Sequence, residues 1–239
     1  ESGVQLADII AIALPRGWFL PVTPGTRFVT VGGAIANDVH GKNHHRHGSF
    51  GEHVRAFELL RSDGSRLRCT PEENAELFRA TIGGLGLTGM VTWAEIALRR
   101  VPGPWLDAEN RRFDSLADFF RISAESDATH EYTVAWIDCL AGGKSAGRGV
   151  FSRANHAQAP ATMTEPAPRA RKFPVTPPVS LVNPLSLRLF NAWHWRKHSP
   201  KPHSELGHYL PFFYPLDAIE GWNRMYGPRG FLQYQCVVP

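Results

Sequence analysis

Thr30-Val31-Gly32-Gly33-Ala34-Ile35-Ala36-Asn37-Asp38-Val39-His40-Gly41-Lys42-Asn43-His44-His45-Arg46-His47-Gly48-Ser49-Phe50-Gly51-Glu52-His53 concentrates more chemically capable side chains than any other run of this chain. A glycine pair among small residues lets a backbone approach a flat or phosphorylated ligand, and imidazoles, an ammonium and amides follow it. The pattern reads as a cofactor cradle. The same residues also make a tight packing turn followed by a solvated polar loop, and a short glycine pattern does not separate the two.

Working outward, Val4, Leu6, Ile9, Ile10 and Ala13 recur at helical spacing before Pro15-Arg16-Gly17, which predicts an amphipathic helix packed on a sheet. Residues 18–22 read as a short strand leading to the turn Thr23-Pro24-Gly25-Thr26. Downstream, residues 54–61 and 66–69 form a predicted hairpin around Ser62-Asp63-Gly64-Ser65. Thr70, Pro71 and Glu73 have the spacing of a helix start, with the helix expected to reach about Ala80. Gly84-x-Gly86-x-x-Gly89 formally satisfies a dinucleotide fingerprint, but it follows a helix and leads into the strand-like Met90-Val91-Thr92-Trp93. The Rossmann pattern needs strand, glycines, then helix, so that reading fails.

Val101-Pro102-Gly103-Pro104 continues neither helix nor strand and divides the chain into residues 1–102 and 103–239. Asp114 or Ser115 is expected to cap a helix through Phe119 and Phe120, residues 132–137 to form a strand, and residues 157–184 to form a long loop with a basic knot at Arg169, Arg171 and Lys172. Leu185, Leu189 and Trp193 share a helical face, with Phe190 beside them and Arg188, Trp195, Arg196 and Lys197 around the rim. Such a helix either lies on a membrane surface or covers a sheet. The end of the chain predicts strand 209–214, helix 218–225 and strand 230–238, a sheet-based α+β arrangement.

The totals narrow the function classes. A chain with 43% apolar and 20% charged residues folds, and 26 basic against 22 acidic residues is too even a balance to argue for a nucleic-acid partner. Cys69, Cys139 and Cys236 form no CxxC pattern, so neither a disulfide framework nor a zinc site is indicated. His44, His45, His47 and His53 lack a carboxylate or thiol at ligand spacing, which argues against a metal. No apolar run approaches the ~20 residues of a spanning helix, and no signal peptide is visible.

Residues 30–53 after Pro24-Gly25-Thr26, above all Val39-His40-Gly41-Lys42-Asn43-His44-His45 and Gly48-Ser49-Phe50-Gly51, resemble the flavin segment of the FAD-linked oxidases of the vanillyl-alcohol-oxidase type. The likeness returns in Ala75-Glu76-Leu77-Phe78, in residues 83–89, in Phe213-Tyr214-Pro215-Leu216-Asp217, and in Trp222-Asn223-Arg224 through Gln233-Tyr234-Gln235. It is looser between Pro104 and His208. Within the family it is most similar to the branch that oxidises a polyprenyl-phosphoryl ribose. The resemblance implies an α+β fold: residues 1–102 as the second part of a PCMH-type FAD-binding domain, residues 103–239 as a substrate domain.

By the same resemblance FAD contacts fall on Gly25, Thr26, Thr30, Val31, Gly32, Gly33, Asn37, Asp38, Val39, His40 and Val91. Catalytic roles fall on His40 and Lys42, and substrate contacts on Tyr214, Arg224, Gln233 and Gln235. On a strand, Gln233 and Gln235 share a face, whereas Arg224 could equally pair with Asp217. The implied reaction converts the 2'-hydroxyl of a lipid-linked pentose to a ketone for arabinan precursor synthesis, with a short-chain reductase partner, while the basic helix around residues 185–197 is what makes peripheral membrane contact an expectation. An alditol or aldonolactone oxidase taking soluble polyols is the alternative enzyme, and a non-catalytic carbohydrate or lipid-phosphate binding module the alternative outside enzymes. The family carries further segments before the position of Glu1 and after Pro239, so a longer parent protein is expected.

Overall fold

In a computed structural model that describes residues 1–160, 163–164 and 171–232, the N-terminal apolar spacing becomes α1 (Leu6–Ala13), with Leu6, Ile10 and Ala13 buried. Gly17, at φ 76°, ends the 3-10 turn that follows, a left-handed conformation that costs glycine nothing. The next strand, β1 (Trp18–Phe19), is shorter than predicted because its partner β5 (Arg99–Arg100) offers only two residues and Pro21 has no N–H to give. The glycine pair falls inside α2 (Val31–Ala36), started by the Thr30 hydroxyl, which accepts the Gly33 N–H at 3.1 Å. After α3 (His44–His47), β2 (Val54–Leu60) and β3 (Arg66–Cys69) form the expected hairpin, and β4 (Met90–Ile96) completes an antiparallel sheet in the order β3-β2-β4.

Helix α4 (Ala75–Thr81) starts later than Thr70 predicts. The Thr70 hydroxyl accepts the N–H groups of Glu72 and Glu73 as a cap does, but its own N–H donates to the Glu73 carbonyl and closes a turn first. Asn74, at φ 50°, then redirects the chain into the helix.

The second half is built on a four-stranded antiparallel sheet in the order β10-β6-β8-β7, from β6 (Trp105–Phe113), β7 (Tyr132–Ile137), β8 (Gly149–Ala157) and β10 (His203–His208). Helix α5 (Leu116–Asp127) is capped by the Ser115 hydroxyl, as expected, and seals a small core of Phe113, Ile122 and Phe151. The short β9 (Arg171–Lys172) interrupts the predicted 157–184 loop, and α6 (Pro184–Lys197) follows. Residues 209–214 form no strand. They make α7 (Tyr209–Phe213), because Pro211 cannot donate to a ladder yet fits the first turn of a helix. Residues 218–225 are not a helix either: β11 (Ile219–Glu220) pairs with β9, and Gly221, at φ 67°, breaks the run before a 3-10 turn over Trp222–Tyr226. The predicted strand 230–238 lies almost wholly outside the described residues.

One core runs across the proposed boundary at residues 101–104. Leu6, Ile10, Phe19, Val31 and Phe57 from the first half join Leu106, Tyr132, Ala154, Phe213 and Tyr214 from the second. Helix α6 contributes little to either core: Leu185, Leu189 and Trp193, the expected apolar stripe, are 69%, 66% and 57% exposed. It is held from its other side, where Asn191 donates to Asp138 at 2.7 Å and the Trp195 indole to the Phe113 carbonyl at 3.2 Å.

Candidate active site

The seam between the halves holds Lys42. Its ammonium donates to the Phe213 carbonyl at 3.1 Å and lies 6.0 Å from the centre of the Phe212 ring, while its own carbonyl accepts the Thr133 N–H at 2.8 Å. Burial lowers this ammonium to about 8, since taking the charge out of water disfavours the protonated form. Gly41 has no room for a side chain: a Cβ there would sit 2.9 Å from the Thr23 carbonyl oxygen. Asn43 is almost wholly buried and donates to the Pro21 carbonyl at 2.8 Å and to Glu131 at 3.4 Å. Glu131 also pairs with the Arg99 guanidinium and lies 3.6 Å from the His47 imidazole, and Arg99 reaches the Tyr132 hydroxyl at 3.2 Å. Burial, and then the charge on Arg99, hold the His47 imidazole below its usual range.

On the flavin-segment side, Asp38 takes φ 42° and its two carboxylate oxygens accept the Gly51 N–H and the Ser49 hydroxyl, each at 2.8 Å. That clamp folds residues 38–51 into a loop closed by a bridge between His40 and Ser49, and places the His40 and His44 rings 6.3 Å apart, edge to face. The turn at residues 83–89 is tied to the end of α2 by Gly83 N–H to the Ile35 carbonyl and Leu85 N–H to the Ala36 carbonyl, and leaves Leu85 and Leu87 exposed.

The glycines divide by role. Gly32 and Gly33 serve internal packing, since added Cβ atoms would meet the Ser2 side chain at 3.1 Å and the Thr30 hydroxyl at 3.2 Å. Gly25 faces open space. Thr26 accepts the Phe28 N–H, Asn37 is exposed, and Val31, Val39 and Val91 turn toward the core, Val91 opposite Leu59 in the sheet.

Tyr214 is buried, its hydroxyl 2.7 Å from that of Thr23, and burial pushes the phenol well above its ordinary range. It follows Phe213 directly, so the structure brings Tyr214, Lys42 and the flavin-segment loop together. Arg224 stands apart and donates to the carbonyls of Phe173 and Pro174, and Asp217 pairs with Arg27, not with Arg224. Gln233 and Gln235 lie outside the described residues. Sequence reasoning missed Thr23, Asn43, Arg99 and Glu131, for a lone carboxylate before a strand carries no periodic signal.

The FAD binding domain family matches residues 1–70. A decaprenylphosphoryl-beta-D-ribose oxidase from Mycolicibacterium smegmatis is 38% identical over 249 residues, taking in 100% of this chain and 54% of that protein. The chain belongs to the FAD-linked oxidases. An uncharacterized protein in the mprA 5' region of Streptomyces coelicolor is 35% identical, over 98% of this chain and 67% of its own length. Human Delta(24)-sterol reductase is 38% identical over 98 residues, 41% of this chain and 19% of that protein.

The residues present fit the FAD of these oxidases. Gly25 leaves its backbone approachable, Leu85 and Leu87 offer apolar surface beside the end of α2, and Asn37, His40 and His44 supply polar groups on one exposed loop.

Proposed function

We propose that this chain supplies the flavin segment and the substrate-facing sheet of an FAD-linked oxidase that converts the 2'-hydroxyl of a polyprenyl-phosphoryl ribose to a ketone. Bound FAD supplies the hydride acceptor. The observation that carries the reading is Lys42: a half-desolvated cation at the seam, held by the Phe213 carbonyl beside Tyr214. At pH 7 its Nζ keeps its proton and stabilises negative charge developing nearby, in a setting where water competes weakly. His40, exposed on the adjoining loop, is assigned the hydroxyl proton. Gly25, Thr26 and Asn37 are assigned to the cofactor, with Asp38 shaping the loop, residues 30–33 setting its position through their own hydrogen bonds within the chain, and Val31, Val39 and Val91 packing it from the core side. Tyr214 positions the sugar side, with Arg224, Gln233 and Gln235 assigned to the phosphate and hydroxyl groups.

The ribose reading is favoured over a soluble polyol because the match to the ribose oxidase takes in 100% of this chain at 38% identity, whereas a putative D-arabinono-1,4-lactone oxidase from Neurospora crassa matches 51% of it at 30%. The keto sugar it forms is a substrate for a short-chain reductase partner. Anaerobic stopped-flow reduction of the flavin-loaded full-length protein is the test. Bleaching by a polyprenyl-phosphoryl ribose, slowed about 100-fold by Lys42→Met and at least about tenfold by His40→Ala, is expected. Bleaching by alditols alone, or parent rates in both variants, would overturn the assignment.

A further inference from the structure

Helix α6 was open to two readings from sequence, and the structure removes one of them: the stripe that was to cover a sheet faces outward. Leu185, Leu189, Phe190 and Trp193 are each more than half exposed, on a helix of 14 residues, or about 21 Å at ~1.5 Å per residue. A continuous apolar strip of that size on one helix exceeds what scattered surface residues explain. The loop entering the helix extends it, with Val179 69% and Leu181 44% exposed.

The charge around the strip has one sign. Between Pro166 and Ser204 the sequence carries seven Lys or Arg residues and no Asp or Glu. Arg188, Arg196 and Lys197 flank the apolar face directly, and the Lys197 ammonium sits 5.1 Å over the Trp193 ring. Among the described residues, the carboxylate hydrogen-bonded to α6 is Asp138, which is buried and pairs with Arg148 at 2.8 Å as well as with Asn191. The helix is therefore anchored through its polar side and presents apolar residues inside a basic rim.

We propose that this face of α6 docks on an anionic lipid bilayer. Leu185, Leu189, Phe190 and Trp193 enter the boundary between headgroups and acyl chains, while Arg188, Arg196 and Lys197 meet lipid phosphates. A second copy of this chain would bring the same cations, Arg188, Arg196 and Lys197, against their own kind, whereas an anionic headgroup layer complements all three at once. Among the described residues no helix is long and apolar enough to cross a membrane, and the contact proposed for α6 is one made at the bilayer surface. The surface rests on exposure and charge alone and is independent of the flavin reading.

The test uses the full-length protein with extruded vesicles of phosphatidylglycerol and of phosphatidylcholine, read by co-sedimentation and by the Trp fluorescence shift. Binding to phosphatidylglycerol vesicles is expected, with a partition coefficient lowered at least about tenfold by Leu189→Glu with Trp193→Glu. Arg188→Gln, Arg196→Gln and Lys197→Gln together are expected to lower it about 100-fold at low salt. Flavin reduction by a short-chain, water-soluble substrate should keep its parent rate in both sets. Equal binding to both vesicle types, or undiminished binding by either set, overturns the proposal. So does a Leu189→Cys thiol that resists maleimide in the vesicle-free protein, because the strip would then be covered by other parts of the protein. That last reading also decides the matter if the glutamate variants fail to fold.

Discussion

Lys42 is costly to the fold, because its ammonium is largely buried at the seam between the two halves. Its ammonium lies at about 8 in the folded chain against 10.5 for an ordinary lysine, so between those values the unfolded chain binds the extra proton. Stability contributed at this position therefore rises as pH rises from 8 toward 10.5, and the penalty is full below pH 8. Replacing the lysine by methionine removes the penalty but leaves the Phe213 carbonyl without its donor. Comparing the two proteins at each pH cancels every other titrating group. The advantage of Lys42→Met over the parent should shrink by about 2 to 3 kcal/mol between pH 7 and pH 10, read from urea unfolding. A difference that stays flat with pH would mean that Lys42 is solvated and that its place at the seam is wrong. The residue itself was legible in sequence, because an ammonium between a glycine and a histidine run stands out. Its burial was not, since the acceptor is the carbonyl of Phe213, 171 positions away.

Elements were legible where local chemistry and tertiary packing agree. The β2–β3 hairpin follows from its Asp-Gly turn, and α5 from its serine cap. They were misread where a proline or a positive φ decides: residues 209–214 became α7 through Pro211, and Gly221 broke the expected helix at 218–225. Strands β6 and β8 escaped notice because charged and polar residues interrupt their alternation, their register being set by each other. The junction of β5, β7 and α3 at Glu131 was equally hidden, since it forms only once three separate segments meet. Glu131 is the acceptor for Arg99 and Asn43 and faces His47, so Glu131→Gln leaves a partly buried guanidinium without its counter-charge. Discounted for the exposure of Arg99, the cost should be about 2 to 3 kcal/mol. Chemical denaturation of the variant is the check, and a loss under about 0.5 kcal/mol would place the junction among surface ion pairs.

At the scale of the whole chain, the sequence suggested two units joined at residues 101–104, and the packing joins them more tightly than a linker does. Phe213 is 1% exposed and its ring lies 5.6 Å from Phe19 and 4.8 Å from Tyr132, one residue from each half, while its carbonyl holds Lys42. The same residue thus fills the shared core with its ring and ties the loop of Lys42 to the second half with its carbonyl. Phe213→Ala should cost about 3 to 5 kcal/mol, the range for a large aromatic removed from a core that cannot collapse around the gap. Because the core is continuous, the loss should appear in both halves at once, as one transition seen identically by far-ultraviolet circular dichroism and by tryptophan fluorescence. Trp18 and Trp93 report on the first half and Trp105 and Trp136 on the second, so single-tryptophan versions can follow each separately. Separate midpoints would show two units that merely touch, and Lys42 would then be held by a docking contact that opens without unfolding. Coincident midpoints would mean that the two halves unfold as one cooperative unit, with Phe213 and the Lys42 contact inside it.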